Sequence, residues 1–273
     1  MHSKQVFNLL TQEYTLVLAT TSQDFLAVKQ LRKEIFSHKY SISPDVLESK
    51  GYLFSQDDEQ SFIYLLQHTS SKKYIGTVRV FFINKNTPIK KMPMQNDSDI
   101  KDITFFNNKL SICEISRLAL SNALDVHKNF SLLKLRTNLA MLLMIATRIN
   151  LFLYSYTTVF SLMESSLDRI LKRQSVNFEQ IGKSIDYYGM CTPYAIERKK
   201  LLRDTEGTMG KITRYYLKQL CQNPELFWQF IDNNPYLERS DIQLDRICKL
   251  FKDYGDDVDL ELLLSDEKDY STT

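Results

Sequence analysis

The chain has 273 residues, 43% hydrophobic and 25% charged, enough for one large domain with a sizeable apolar core or a domain with a smaller appendage. Lys and Arg number 35 against 33 Asp and Glu, a formal net charge of +2, and so weak a field excludes binding nucleic acid by phosphate neutralisation alone. The longest apolar run, residues 139–147, stops at Arg148 and Asn150, short of the ~20 residues a membrane-spanning helix needs.

The first ten residues lack the apolar core and cleavage site of a signal peptide, so a soluble, cytoplasmic protein is expected. Cys113, Cys191, Cys221 and Cys248 show neither the close pairs of zinc sites nor the density of a disulfide scaffold, and are expected as reduced thiols. Residues 14–20 (YTLVLAT) favour a strand. Ser22 and Asp24 then offer cap chemistry to a helix in which Phe25, Val28, Leu31, Ile35 and Phe36 recur at helical spacing. Residues 61–69 and 74–83 are rich in aromatic and β-branched residues and flank the polar tract 70–73, which predicts an antiparallel hairpin. Residues 84–108, with Pro88, Pro93 and several Asn and Asp, predict a long surface loop of the kind that often carries function.

Residues 110–120 (LSICEISRLAL) predict another strand, and 131–150 a helix with a broad apolar face for the sheet. A buried strand follows at 157–163, then a short helix at 164–173 whose charges match the helix dipole. Residues 178–188 and 194–198 complete the sheet, divided at Gly189 and Pro193. Helices are expected at 205–221, 225–231 with Pro224 as first residue, 241–254 and 260–264. The expected fold class is α/β (α+β): a mixed central sheet with helices on both faces over residues 1–200, and a helical C-terminal extension over 201–273.

Four short patterns occur in one order. Arg32 and Phe36 stand four apart in LRKEIF; Asp58 precedes a strand, six residues before Tyr64; Gly76-Thr77-Val78-Arg79-Val80 reads Gly-x-x-Arg-aliphatic; Glu114-Ile115-Ser116-Arg117 reads Glu-x-Ser-Arg. Leu162-Met163-Glu164 leads through Leu167, Arg169 and Leu171 to Gly182, and Tyr188-Gly189 runs into Pro193. Over residues 14–200 this ordered set resembles the acyl-homoserine-lactone synthases and the related N-acyl amino acid synthases, including acyltransferases associated with the PEP-CTERM/exosortase system. The resemblance implies a GNAT-like fold, in which two neighbouring parallel strands splay apart and an acyl-pantetheine thioester lies in the opening. Ser55 and Ile42 stand where the lactone synthases have an acidic residue and a Trp, and Cys191 stands where the PEP-CTERM relatives tend to have Arg. These departures favour the N-acyl amino acid branch.

In a regular strand Glu114 and Ser116 face one way and Arg117 the other, so a common role for Glu114 and Arg117 requires a β-bulge. Amide formation needs a neutral amine, donors for the developing oxyanion and a proton for the leaving thiol. Glu114 is the candidate catalytic residue, to orient the amine or accept its proton; the other reading is a structural carboxylate paired with Arg79 or Arg117. The resemblance makes Arg32, Phe36, Asp58, Arg79 and Arg117 candidate substrate-binding residues. The arginines suit an acceptor carboxylate, while Arg32 and Asp58 equally suit a fixed wall. Phe36, Phe81, Phe82 and Phe160 line an acyl tunnel or simply fill the core.

The Gly-rich turn that cradles coenzyme A pyrophosphate in GNAT folds should follow the Glu114 strand, yet residues 121–136 contain no glycine. Acyl carrier protein is therefore the expected donor and partner, presenting an acyl-phosphopantetheine thioester. Its candidate dock is Lys128, Lys134, Arg136, Arg198, Lys199 and Lys200, with solvated helix ends as the plainer reading. His38, His68 and His127 have no metal spacing, and neither a metal nor a resident cofactor is expected. The expected function is N-acyl transfer to the α-amine of an amino acid or related small amine. The alternatives are a non-catalytic acyl-binding or scaffold protein and a coenzyme A-dependent small-amine acetyltransferase.

Overall fold

A computed structural model describes residues 2–100, 111–124, 127–187, 189–203 and 207–262. Residues 101–108 of the expected loop, Leu110, Tyr188, Thr205 and residues 263–264 lie outside the described residues. After α1 (His2–Asn8) and β1 (Tyr14–Leu18), α2 (Ser22–Tyr40) already includes Ser22, its expected cap, as first residue. Thr21, not Ser22, is the cap: its hydroxyl accepts from the Asp24 amide at 3.1 Å, and the Asp24 carboxylate accepts from the Thr21 amide at 3.0 Å. The short helices α3 (Pro44–Ser49) and α4 (Gln56–Glu59) lead into the expected hairpin of β2 (Ser61–His68) and β3 (Tyr74–Ile83). The described part of the following loop holds a single turn, α5 (Met94–Asp97). Then come β4 (Ile112–Leu120), α6 (Leu132–Leu153), β5 (Thr158–Glu164) and α7 (Ser165–Lys172).

Two-residue strands β6 (Glu179–Gln180) and β7 (Ile185–Asp186) precede β8 (Met190–Glu197). The expected break at Pro193 is absent, because β8 runs through it opposite Leu162. The Pro193 carbonyl accepts from Ile181 at 3.0 Å. Its nitrogen therefore faces the gap between β6 and β7, where the ladder needs no donor. The sheet order is β1-β2-β3-β4-β5-β8-β6 with β7 also on β8, and every pairing is antiparallel except β4 with β5.

Alternation along β3 and β4 sends Val78, Val80, Phe82, Cys113 and Ile115 to one face, where they pack with Leu139, Leu142, Leu143 and Ala146 of α6. The opposite face is split. Ile63, Leu65 and Ala119 pack with Val28, Leu31, Ile35 and Phe36 of α2, whereas Phe81, Ile83, Ile112 and Phe160 pack with Met92 and Met94. Between these two apolar patches lies the polar site.

Chain beyond β8 forms α8 (Arg198–Leu202), α9 (Thr208–Gln222), α10 (Glu225–Asn233) and α11 (Leu244–Tyr254), with Pro224 as the cap of α10 rather than its first residue. Their Ile212, Leu217, Phe227, Ile231 and Ile247 continue the α6-side core without a break, so the helical extension packs as a layer on that core. Here the cysteine expectation is corrected. Cys221 and Cys248 form a disulfide joining α9 to α11, with Cα atoms 5.1 Å apart, while Cys113 and Cys191 are free and buried. Among the described residues no helix is long and apolar enough to cross a membrane.

Candidate active site

The site exists because β4 is irregular. Thr77 pairs with Ala119 and Arg79 with Ser116, so Val78 alone faces both Arg117 and Leu118. The extra residue is a β-bulge, and Arg117 takes the left-handed conformation at φ 54°. The slip returns Arg117 to the face already holding Glu114 and Ser116, which the Glu-x-Ser-Arg pattern requires. Beside the bulge, β4 and β5 pair only through Ile112, Cys113 and Glu114 with Thr158, Val159 and Phe160. Beyond that point no ladder joins them among the described residues, and the Ser161 hydroxyl donates to the Ile115 carbonyl at 2.9 Å at the apex.

Gly76 fixes this corner. A Cβ there would stand 2.7 Å from a Leu120 methyl and 3.2 Å from a Leu143 methyl, so the Gly of Gly-x-x-Arg serves the close approach of β3, β4 and α6. Three residues on, Arg79 enters the polar site.

Asp58 is the hub of that site. Its carboxylate accepts from Arg32 Nη1 at 3.0 Å and from Arg117 Nη1, and Arg79 Nη1 lies 3.7 Å away. It also accepts from the Ser55 amide at 2.9 Å, capping α4. Burial alone would raise the Asp58 carboxyl, but Arg32, then Arg79 and Arg117, outweigh it and hold it at about 2. Arg117 further donates to the Gly51 carbonyl at 2.9 Å and Ser55 Oγ at 3.1 Å.

Glu114 is held differently. Its Oε2 accepts from the Met94 amide at 2.8 Å, and its Oε1 is 3.9 Å from Arg79 Nη2, beyond hydrogen-bond reach. Burial pushes its carboxyl above the ordinary range, against the pull of Arg79, the Met94 amide and a hydrogen bond with Ser116. Arg79 is itself buried, donates from Nε to Ser116 Oγ at 3.1 Å, and has no hydrogen-bond partner on Nη1.

Both residues open on a cavity of about 900 Å³ that passes through the splay. On the α2 side it is polar, lined by Ser55, Asp57, Arg79, Glu114 and Asn96. On the α6 side Leu133, Thr137, Ala140 and Met144 form one helical stripe, about 16 Å long at 1.5 Å per residue, facing Leu167, Ile170 and Leu171 of α7. A polar compartment holding a desolvated carboxylate meets an apolar one across the gap.

Phe36 lines the cavity, as do Arg79, Arg117, Glu114 and Arg136. Arg32 and Asp58 do not. Both are buried and joined through Arg32 Nη1, which also donates to the Leu53 carbonyl at 3.1 Å, while Arg32 Nε and Nη2 have no hydrogen-bond partner. Neither residue is exposed to the cavity, an arrangement that suits a fixed wall. Phe81, Phe82 and Phe160 fill the core away from the cavity. Lys128 and Lys134 are exposed near the start of α6, and Arg136 reaches back to the Ser121 carbonyl at 2.9 Å. The second expected basic cluster is corrected. Arg198 is 1% exposed and donates to the Leu151 carbonyl at 2.6 Å, so it offers no charge to solvent. Lys199 and Lys200 follow the end of β8 that pairs with the start of β5, opposite the splayed end.

Sequence reasoning missed Met94, Asp57, Ser161 and the Lys39–Glu164 ion pair, all in or beside the cavity. Met94 acts through its amide, which side-chain chemistry does not advertise, and the ion pair joins residues 125 apart in sequence.

The mixed sheet, with a bulged β4 that splays from β5, agrees with the GNAT-like arrangement expected from the sequence. No family model and no curated protein matches the chain. Similar solved structures include FeeM, an N-acyl amino acid synthase from uncultured soil microbes, at 12% identity and a TM-score of 0.47, covering 69% of this chain and 92% of that one. The AHL synthase LasI is 13% identical with a TM-score of 0.41, covering 69% and 94%. ElaA of Escherichia coli is 14% identical with a TM-score of 0.41, covering 67% and 98%.

Proposed function

We propose that the protein is an N-acyltransferase that moves a fatty acyl group from a phosphopantetheine thioester on acyl carrier protein to the α-amine of an amino acid. The observation that carries the reading is Glu114: a desolvated carboxylate without a close ion-pair partner, facing a cavity that crosses the sheet through the splay of β4 and β5. The apolar compartment suits the acyl chain and the polar one the acceptor.

In this scheme the α-ammonium gives a proton to Glu114, directly or through water, and the neutral amine attacks the thioester carbonyl. The C–N bond forms and the attacking nitrogen gives up its second proton as the tetrahedral oxyanion collapses. The C–S bond breaks, the thiolate leaves as the thiol by taking up that second proton, and Glu114 later releases the first to solvent. No covalent enzyme intermediate is needed. Carrier protein is favoured over coenzyme A because residues 121–136 contain no glycine, while Lys128, Lys134 and Arg136 supply cations beside the Leu133 end of the cavity.

The test is incubation of the purified protein with acyl-carrier proteins of several chain lengths, or the matching acyl-coenzyme A esters, and a mixture of amino acids. Mass spectrometry then reads N-acyl products. No product from folded protein with any donor rejects the enzyme reading. Ligand binding that survives Glu114→Ala without turnover instead points to an acyl-binding scaffold.

A further inference from the structure

Six ionisable groups form one ion-paired cluster in the polar compartment and its wall, Arg32, Arg79 and Arg117 against Asp57, Asp58 and Glu114, while Lys50 and Asp97 line the same cavity outside that cluster. With all six charged the set is neutral, yet its contacts are unevenly distributed. Asp58 takes the short bonds of Arg32 and Arg117. Arg79 is left with carboxylates at 3.7 to 3.9 Å and an Nη1 that donates to nothing, although it is only 2% exposed. A buried guanidinium nitrogen without an acceptor is costly. It lines a cavity through which an anion with hydrogen-bonding oxygens can reach it.

Resting on the proposed acyl transfer, we infer that the carboxylate of an α-amino acid acceptor docks on Arg79 and thereby drives the proton of the acceptor's own ammonium onto Glu114. A carboxylate fits the planar fork of arginine. In an α-amino acid the amine is one carbon from that carboxylate, a spacing matched by the 3.9 Å between Arg79 Nη2 and Glu114 Oε1. An added negative charge at Arg79 cancels the cation that holds Glu114 ionised, and the set returns to neutrality when Glu114 gains a proton. The groups facing Glu114 are few enough for this to dominate: Arg79 from β3, Asp57 from α4, the Met94 amide from α5 and Ser116 on its own strand. The opposing β5 residue is Phe160. The acceptor's carboxylate thus acts as an activator as well as a handle, and a plain amine entering the same cavity finds a weaker base.

Calorimetry on the purified 273-residue chain tests this without turnover, using N-octanoylglycine and its carboxylate-free analogue N-ethyloctanamide in buffers of different ionisation enthalpy near pH 7. The expected result is binding about tenfold or more tighter for the carboxylate ligand, with net proton uptake only for that ligand. Glu114→Gln keeps the preference and loses the uptake; Arg79→Gln loses both. Equal affinities, uptake that persists in Glu114→Gln, or failure of both ligands to bind overturns the inference. Should Arg79→Gln not fold, the wild type and Glu114→Gln decide. Absent acyl transfer with these binding signatures intact removes the enzymatic reading alone, whereas turnover without carboxylate preference removes only this inference.

Discussion

Replacing Asp58 with Asn removes the charge at the centre of the arginine cluster while keeping the shape of the side chain. The size of the effect follows from two independent routes. Asp58 titrates at about 2 in the fold against an ordinary value of 3.8, so its ionised form contributes about 2 kcal/mol. Deleting one member of a buried ion pair costs about 3–5 kcal/mol, because the partner charge stays buried. Linkage compares charged with neutral carboxyl and gives the lower figure; Asn also turns an NH2 toward guanidinium donors, which moves the loss upward. We expect Asp58→Asn to lose at least about 2 kcal/mol at pH 7.

Because the folded value lies below the unfolded one, this stability is complete well above pH 3.8 and is lost as pH falls through 2. The gap between wild type and variant in urea denaturation should therefore narrow on acidification, with about half of it gone by pH 3. A gap that stays constant between pH 7 and pH 3, or that is under about 0.5 kcal/mol at pH 7, refutes the hub assignment.

Glu114→Gln should behave oppositely: burial raises the Glu114 carboxyl, so its charge costs stability as pH rises past the ordinary carboxylate range, and the neutral variant should unfold at equal or higher urea at pH 7. The same variant should lose about 100-fold or more of any acyl transfer, read by product mass spectrometry. Gly76→Ala should cost about 1–3 kcal/mol by pushing on Leu120 and Leu143, measured by thermal unfolding. Reducing Cys221–Cys248, or replacing both with Ser, should cost about 3 kcal/mol for a bridge spanning 27 residues, and thiol titration of the unreduced, denatured chain should count two free thiols.

Much of the architecture was legible because its signals are local. The β2–β3 hairpin, the apolar face of α6 and the alternation that brings Glu114 and Ser116 to one side are set by residues within one element. The requirement for a bulge was legible too, since Glu114 and Arg117 cannot share a face of a regular strand. The arrangement of the six charges was not. Arg32, Asp58, Arg79 and Arg117 are recognisable as a set, but only the fold decides that Asp58 takes two short guanidinium bonds while Arg79 makes no hydrogen bond to a carboxylate. Pro193 misled because its cost depends on the direction its nitrogen faces, and Arg198 because a cationic helix start reads as surface until Leu151 is found above it. The pairing of Cys221 with Cys248 depends on how α9 packs against α11, which spacing alone does not encode.

The two buried carboxylates of the cluster argue for a division of labour. Asp58 and Glu114 sit among the same arginines, are equally hidden from solvent, and are displaced in opposite directions. The difference lies in the partners: hydrogen-bonded guanidinium contacts for Asp58; the neutral Met94 amide and Ser116 hydroxyl with a cation only at 3.9 Å for Glu114. An anchor needs its charge compensated, since any exchange of protons would loosen α2, α4 and β4 together. A base needs the reverse, a carboxylate whose charge is poorly compensated and so accepts a proton readily. The β-bulge lets one fold satisfy both demands. By turning Arg117 onto the Glu114 face and toward Asp58, it spends the strongest cation contacts on the anchor and leaves the carboxylate at the splay only loosely held.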